Sequence, residues 1–210
     1  MTLFAAIANH ARTIPQQAAL QSSQQQLDYQ RLWQQIQQLA NQLQQRGIQR
    51  LALQLDNGLA WALLDLACSY AEIVVIPVPH FFSLDQQGWL LESSGADALV
   101  GPFHQGWQAA EPLTLLSGLS EAEHTVPLWR RQPNKRVTLP AGTAKITYTS
   151  GTTGQPKGVC LSQATMMAVC ASLAKRVAPA EVEQHLTLLP LATLLENLTG
   201  LYVPLLTGAC

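Results

Sequence analysis

Residues 148–158 read Tyr148-Thr149-Ser150-Gly151-Thr152-Thr153-Gly154-Gln155-Pro156-Lys157-Gly158. Four small hydroxyl residues, three glycines and one lysine share these eleven positions. Glycine lets a backbone turn back and approach a ligand closely. Hydroxyls and open amide N–H groups donate hydrogen bonds to phosphate oxygens. Lys157 adds a compact positive charge on a flexible stem. The composition suits a loop that holds a polyphosphate. The P-loop reading fails, because that motif needs glycine directly before the lysine and Ser or Thr after it. Here Pro156 precedes Lys157 and Gly158 follows it. A Gly/Ser/Thr cluster is by default a surface loop. In this chain an apolar, β-favouring run, 144–148, leads in and a second, 158–161, leads out. The loop is therefore held between two strands.

The pattern upstream places this strand–loop–strand unit in an α/β protein. Tyr29, Leu32, Trp33, Ile36, Leu39, Ala40 and Leu43 step by three and four, which builds one apolar stripe. This spacing predicts a helix over about 29–46, with Asp28 as N-cap, Gly47 as stop and glutamine on the solvated face. A strand over 51–55 ends at Asn57-Gly58, and 59–70 is helical. The β-branched run 73–78 reads as a buried parallel strand. Ser83 and Gln86 have capping-box spacing and open a helix to about Ser94. Residues 98–100 form a short strand, and 101–143 read as short strands and loops. Ser162 caps a helix running to about Val177, 186–189 read as a strand, and 194–206 are partly helical. The alternation predicts an α/β fold with mostly parallel sheets flanked by helices. Two units are expected, an N-terminal lobe over 1–143 and the start of a second lobe over 144–210.

Composition narrows the partners. The chain has 210 residues, 48% of them apolar and 12% charged, with net charge −1. It carries no electrostatic footprint for nucleic acid. The apolar runs 61–79 and 186–210 are broken by Asp65, Glu72, Glu196, Asn197 and prolines, so neither offers the ~20 uninterrupted apolar residues of a transmembrane span. Cys68, Cys160, Cys170 and Cys210 show no metal or redox spacing. With no signal peptide visible, the expected compartment is the reducing cytoplasm. His10, His80, His104, His124 and His185 are scattered and read as structural or surface residues. Trp33, Trp61, Trp89, Trp107 and Trp129 read as core packers. Asp65 and Glu72 read as solvent-facing or backbone-capping. For Glu196 two readings stay open, a helix-face residue near solvent or a carboxylate in a substrate pocket.

The loop resembles the phosphate-binding signature of the acyl-adenylate-forming superfamily: acyl-CoA synthetases, luciferases and adenylation domains of peptide synthetases. Every defining position over 148–158 is present. Weaker likenesses lie at 27–29 with the helix that follows, at 68–79 and at 188–196. The last is closest in form to acyl-CoA synthetases. The resemblance implies an ATP-dependent carboxylate ligase that makes an acyl-adenylate and then an acyl thioester. In it Thr149, Ser150, Gly151, Thr152, Thr153 and Gly154 would wrap the β- and γ-phosphates of ATP, and Lys157 would pair with them. Thr149 would also offer a hydroxyl to Mg2+. Coenzyme A, or the pantetheine of an acyl carrier protein, would accept the acyl group. Thr193 stands where the family carries histidine or an aromatic residue. With Glu196 it would lie by the pocket for the acyl carboxylate. Ser162-Gln163 replaces the family's Ser-His pair.

The family's later motifs are missing: Tyr-Gly-x-Thr-Glu, the ribose-binding aspartate, the hinge and the small C-terminal domain with its catalytic lysine. The resemblance thus implies an N-terminal piece of a larger enzyme. These 210 residues would hold no catalytic residue, would be inactive alone, and would self-associate through exposed apolar surface. Two further readings stand beside this one. One is a truncated, non-catalytic nucleotide-binding or interaction module. The other is an adenylation domain feeding a carrier protein.

Overall fold

The computed structural model describes residues 2–115, 124–133, 137–150, 155–177 and 182–210. Its centre is a seven-stranded sheet. Helix α1 (Leu3–Thr13) and a small hairpin, β1 (Ala18–Gln21) with β2 (Gln26–Asp28), precede it. Then come α2 (Tyr29–Gln45), β3 (Arg50–Leu53), α3 (Leu59–Tyr70), β4 (Val74–Pro77), α4 (Leu84–Ser94) and β5 (Ala98–Val100). A hairpin follows, β6 (Gln108–Leu115) with β7 (His124–Arg130), and then a second, β8 (Thr143–Thr149) with β9 (Lys157–Ser162). Helix α5 (Gln163–Val177) leads to a closing helix in three parts: α6 (Leu194–Glu196), a π-helical stretch (Asn197–Tyr202) and α7 (Val203–Thr207).

The strands lie in the order β6-β7-β5-β3-β4-β8-β9. The four in the middle, β5, β3, β4 and β8, pair in parallel, and each edge is an antiparallel hairpin. The sheet is mixed, with its parallel pairing confined to the centre. Strands on both sides of residue 143 share it, because β8 pairs with β4 through Val75 and Lys145.

Local chemistry explains the elements. Asp28 accepts the Arg31 amide at 2.7 Å and caps α2, and Gly47 ends the turn after it at φ 64°. Ser83 and Gln86 cap α4 reciprocally. Ser162 accepts the Thr165 amide and opens α5. Side chains alternate across the central strands. Leu51, Leu53, Val75 and Val100 face one core with α1, α2, α3, α5 and the closing helix. Ala52, Ile76, Leu99 and Ile146 face a second core with Leu90 and Leu91 of α4. Each large apolar side chain so buried contributes about 1.5–3 kcal/mol.

The fold departs from the sequence reading at several places. Helix α1 and β1 were not expected. The hairpin β6–β7 is longer than the short strands expected over 101–143. Its prolines hid it: Pro112 lies on the edge strand within a register shift between Ala110 and Leu113, and Pro127 lies beyond the residues of β7 paired with β5. Residues 186–189 form no strand. Just before them, the His185 amide donates to Cys210 and the Cys210 amide donates to Glu183. Trp61 and Trp107 are core residues, but Trp89 is half-exposed. Glu72 faces solvent, whereas Asp65 is fully buried. Among the described residues, no helix is long and apolar enough to cross a membrane.

Burial also sorts the thiols. Cys68 and Cys170 are buried, and burial pushes the Cys170 thiol up to about 11 and that of Cys68 well above the ordinary range. The thiolate is the nucleophile. At pH 8, iodoacetamide is therefore expected to label Cys160, which is partly exposed, well before Cys68 and Cys170. Peptide mapping of a labelling time course checks this; equal rates at the three thiols would contradict it.

Candidate functional site

The loop predicted from sequence sits at the turn of the β8–β9 edge hairpin. Thr149 and Lys157 are cross-strand partners at its mouth, and Tyr148 faces Gly158 one pair further in. Thr149, Ser150 and Lys157 are all exposed. Among the described residues, Lys157 has no ion-pair partner, so none of them neutralises its ammonium. Two hydroxyls and a free cation at one strand end form a donor set suited to phosphate oxygens. Gly151, Thr152, Thr153 and Gly154 lie outside the described residues.

Gly158 has a packing reason. A Cβ there would stand 3.0 Å from the Tyr148 ring and 3.1 Å from Ile146. The bare backbone lets the Tyr148 ring lie across the hairpin, and its hydroxyl reaches Ser93 of α4 at 2.8 Å. Gly158→Ala is expected to displace that ring and lower stability by about 1–3 kcal/mol, as overpacking does. Urea unfolding measures this, and an unchanged midpoint would refute it.

Behind the hairpin, on the core side, Lys145 of β8 is fully buried. Its ammonium donates to Asp65 of α3 at 2.6 Å and also to the Asn197 side-chain carbonyl. The second Asp65 oxygen accepts from the Tyr202 hydroxyl at 2.9 Å and from the Asn197 amide at 3.1 Å. Burial, then the Asp65 charge, pushes the Tyr202 phenol well up, so it stays a donor. A buried charge pair is tolerated only when its remaining valences are met, and here Asn197 and Tyr202, both on the π-helical stretch, meet them. Sequence reasoning missed this cluster. A signal existed for Asp65, the one polar residue in the apolar run 59–68.

Thr193 and Glu196, the residues proposed for the pocket, are both held by nearby backbone. The Thr193 hydroxyl turns back onto the Pro190 carbonyl at 2.7 Å. Glu196 is buried rather than solvent-facing, and it accepts the Leu188 amide at 3.1 Å. Asn57 braces the same turn, donating to Leu189 and accepting from Leu191, each at 2.8 Å. An apolar hollow of about 350 Å³ lies nearby between α5 and α7, lined by Leu173, Val177, Val182 and Val203 with Arg176 and His185. Neither Thr193 nor Glu196 lines it. Gln163, where a histidine was expected, bonds Ser69 at 2.9 Å.

The loop and the sheet that presents it are those of a nucleotide-binding family. The profile described as AMP-binding enzyme matches residues 7–210, and the chain belongs to that family. Among curated proteins it is 31% identical over 150 residues to tyrocidine synthase 3 of Brevibacillus parabrevis, covering 70% of this chain and 2% of that one. To bacitracin synthase 2 of Bacillus licheniformis it is 26% identical over 181 residues, covering 84% and 7%. The fold is similar to o-succinylbenzoate CoA synthetase from Bacillus subtilis, solved with an acyl-adenylate intermediate (TM-score 0.74, 22% identity, 97% of this chain and 54% of that one). It is also similar to the N-terminal subdomain of Klebsiella oxytoca NpsA (TM-score 0.74, 21% identity, 100% and 52%). The chain thus spans about half the length of these solved proteins and a few per cent of the curated ones.

Proposed function

We propose that this chain supplies the triphosphate-holding part of an ATP-dependent, AMP-forming carboxylate ligase. The observation that carries the reading is the pairing of Thr149 with Lys157 at the mouth of the β8–β9 loop, both exposed and the lysine unneutralised among the described residues. Thr149, Ser150 and Lys157, with Gly151, Thr152, Thr153 and Gly154, hold the β- and γ-phosphates. In the reaction a substrate carboxylate oxygen bonds to the α-phosphorus of ATP. The bond from that phosphorus to the bridging oxygen breaks, and pyrophosphate leaves. A thiol sulfur then bonds to the acyl carbon and AMP leaves. Charge collects on the departing pyrophosphate, and preorganised donors there stabilise the transition state. Mg2+, held by few protein ligands and several waters, would neutralise part of that charge beside the Thr149 hydroxyl.

The relatives support two acceptors. Coenzyme A is the acceptor if the likeness to the CoA synthetase extends to the thiol. A carrier-bound pantetheine is the acceptor if the sequence relatives, tyrocidine synthase 3 and bacitracin synthase 2, are the better guide. Calorimetric titration of the purified chain tests the phosphate assignment. MgATP and magnesium pyrophosphate are expected to bind at least about tenfold more tightly than AMP, with affinity falling as salt is added. Equal affinity for AMP and MgATP would sink it.

A further inference from the structure

The loop is gripped from outside its own hairpin. Trp89 and Ser93 lie four residues apart on α4, so they share one face of that helix. The Trp89 indole N–H donates to the Pro156 carbonyl at 3.1 Å. Ser93 Oγ and the Tyr148 hydroxyl bond at 2.8 Å. Tyr148 is the last inward-lying residue before the exposed Thr149 and Ser150, and Pro156 is the buried residue directly before Lys157. One helical face therefore holds the incoming stem of the loop at one point and the outgoing stem at another. The rest of that face leaves little reason for Trp89 to be there: its ring is half-exposed and belongs to neither core. Helix α4 is itself fixed by its capping box and by Leu90 and Leu91 in the core beneath β3, β4 and β5. The groove beside it, bounded by Leu84, Gly88, Trp89, Ser93, Gln155 and Pro156, runs along the contact.

We infer that Trp89 and Ser93 are positioning residues that fix both stems of the phosphate loop, and so set how Thr149 and Lys157 receive the triphosphate. The inference rests on the phosphate reading of the loop for its second half, and on geometry alone for its first. Neither residue touches the nucleotide; each acts through the backbone or ring it holds. An indole N–H bond to a carbonyl is lost in Trp89→Phe while most of the ring surface is kept. The hydroxyl bond is lost in Ser93→Ala and kept in Ser93→Thr.

The test uses the full chain with these three variants and Lys157→Ala. Without ligand, amide exchange followed by mass spectrometry is expected to run about tenfold faster over 147–150 and 155–158 in Trp89→Phe and Ser93→Ala, and unchanged in β3 and β4. MgATP affinity is expected to fall about fivefold in both variants, roughly the loss of one neutral hydrogen bond, and to return in Ser93→Thr. Through its bond to the outgoing stem Trp89 should also report ligand indirectly, so most of the emission change on adding MgATP should be lost in Trp89→Phe. Wild-type exchange at both stems in both variants overturns the inference. So does faster exchange with undiminished MgATP affinity. If the wild type and Lys157→Ala bind MgATP alike, it is the phosphate reading that fails, and the exchange rates still decide whether α4 holds the stems.

Discussion

Lys145→Met is expected to lower the unfolding free energy by about 3–5 kcal/mol, the usual result of leaving one member of a buried ion pair alone. For a chain of this length that is a drop of roughly 6–20 °C in Tm. The reason is specific. Lys145 is about as buried as Asp65, and its loss leaves a carboxylate in the core with, among the described residues, only Asn197 and Tyr202 to solvate it. Asp65→Leu should cost a similar amount for the converse reason, a stranded ammonium. The double variant Lys145→Met with Asp65→Leu should be less destabilised than the sum of the two by about 2 kcal/mol, because no charge is left behind. Thermal unfolding followed by circular dichroism gives all three numbers. Strict additivity, or a Lys145→Met variant within about 1 kcal/mol of wild type, would mean that the pair is not the coupled unit its distances describe. The effect would reach the loop too, since Lys145 lies on β8 four residues before Thr149.

Lys157→Ala in the complete enzyme is expected to slow adenylate formation by about 10²-fold, equivalent to ~3 kcal/mol at the transition state. The loss should appear in both the KM for ATP and kcat, because Lys157 meets charge already present on the bound triphosphate and further charge that grows as pyrophosphate departs. Carboxylate-dependent exchange of pyrophosphate into ATP measures it. Unchanged exchange would remove Lys157 from the phosphate site. Fold stability should be indifferent, since Lys157 is exposed and has no ion-pair partner among the described residues.

What could be read in the sequence divides along a physical line. Elements that carry their own signal were legible: α2 from its stripe, α4 from Ser83 and Gln86, α3 and β5 to the residue, and the β8–β9 stems around the loop. The sheet's antiparallel edges were not, because pairing direction depends on where distant strands land. The long hairpin was hidden by prolines that its edge position tolerates. The charged cluster escaped for the same non-local reason. Asp65, Lys145, Asn197 and Tyr202 are dispersed over 138 positions, and nothing local joins them. Asp65 was misread as a surface residue on that account, and Trp89 as a core one. For Thr193 and Glu196, the local turn decides. Their side chains bond to neighbouring backbone in a way that no residue pattern announces.

The π-helical stretch limits what lengths this region can have. Asn197 and Tyr202 stand five residues apart and reach the same carboxylate oxygen. In an ordinary α-helix, residues five apart point about 140° away from each other, at 100° per residue. The wider turn, in which the Val203 amide bonds back to Leu198, brings them into line. A one-residue deletion between them would restore a regular helix with the two side chains four apart, about 40° from one another and still on one face. A one-residue insertion would leave them six apart, about 120° from one another in a regular helix. The segment is therefore lopsided in what it tolerates: natural variants of this protein can be one residue shorter here more readily than one residue longer.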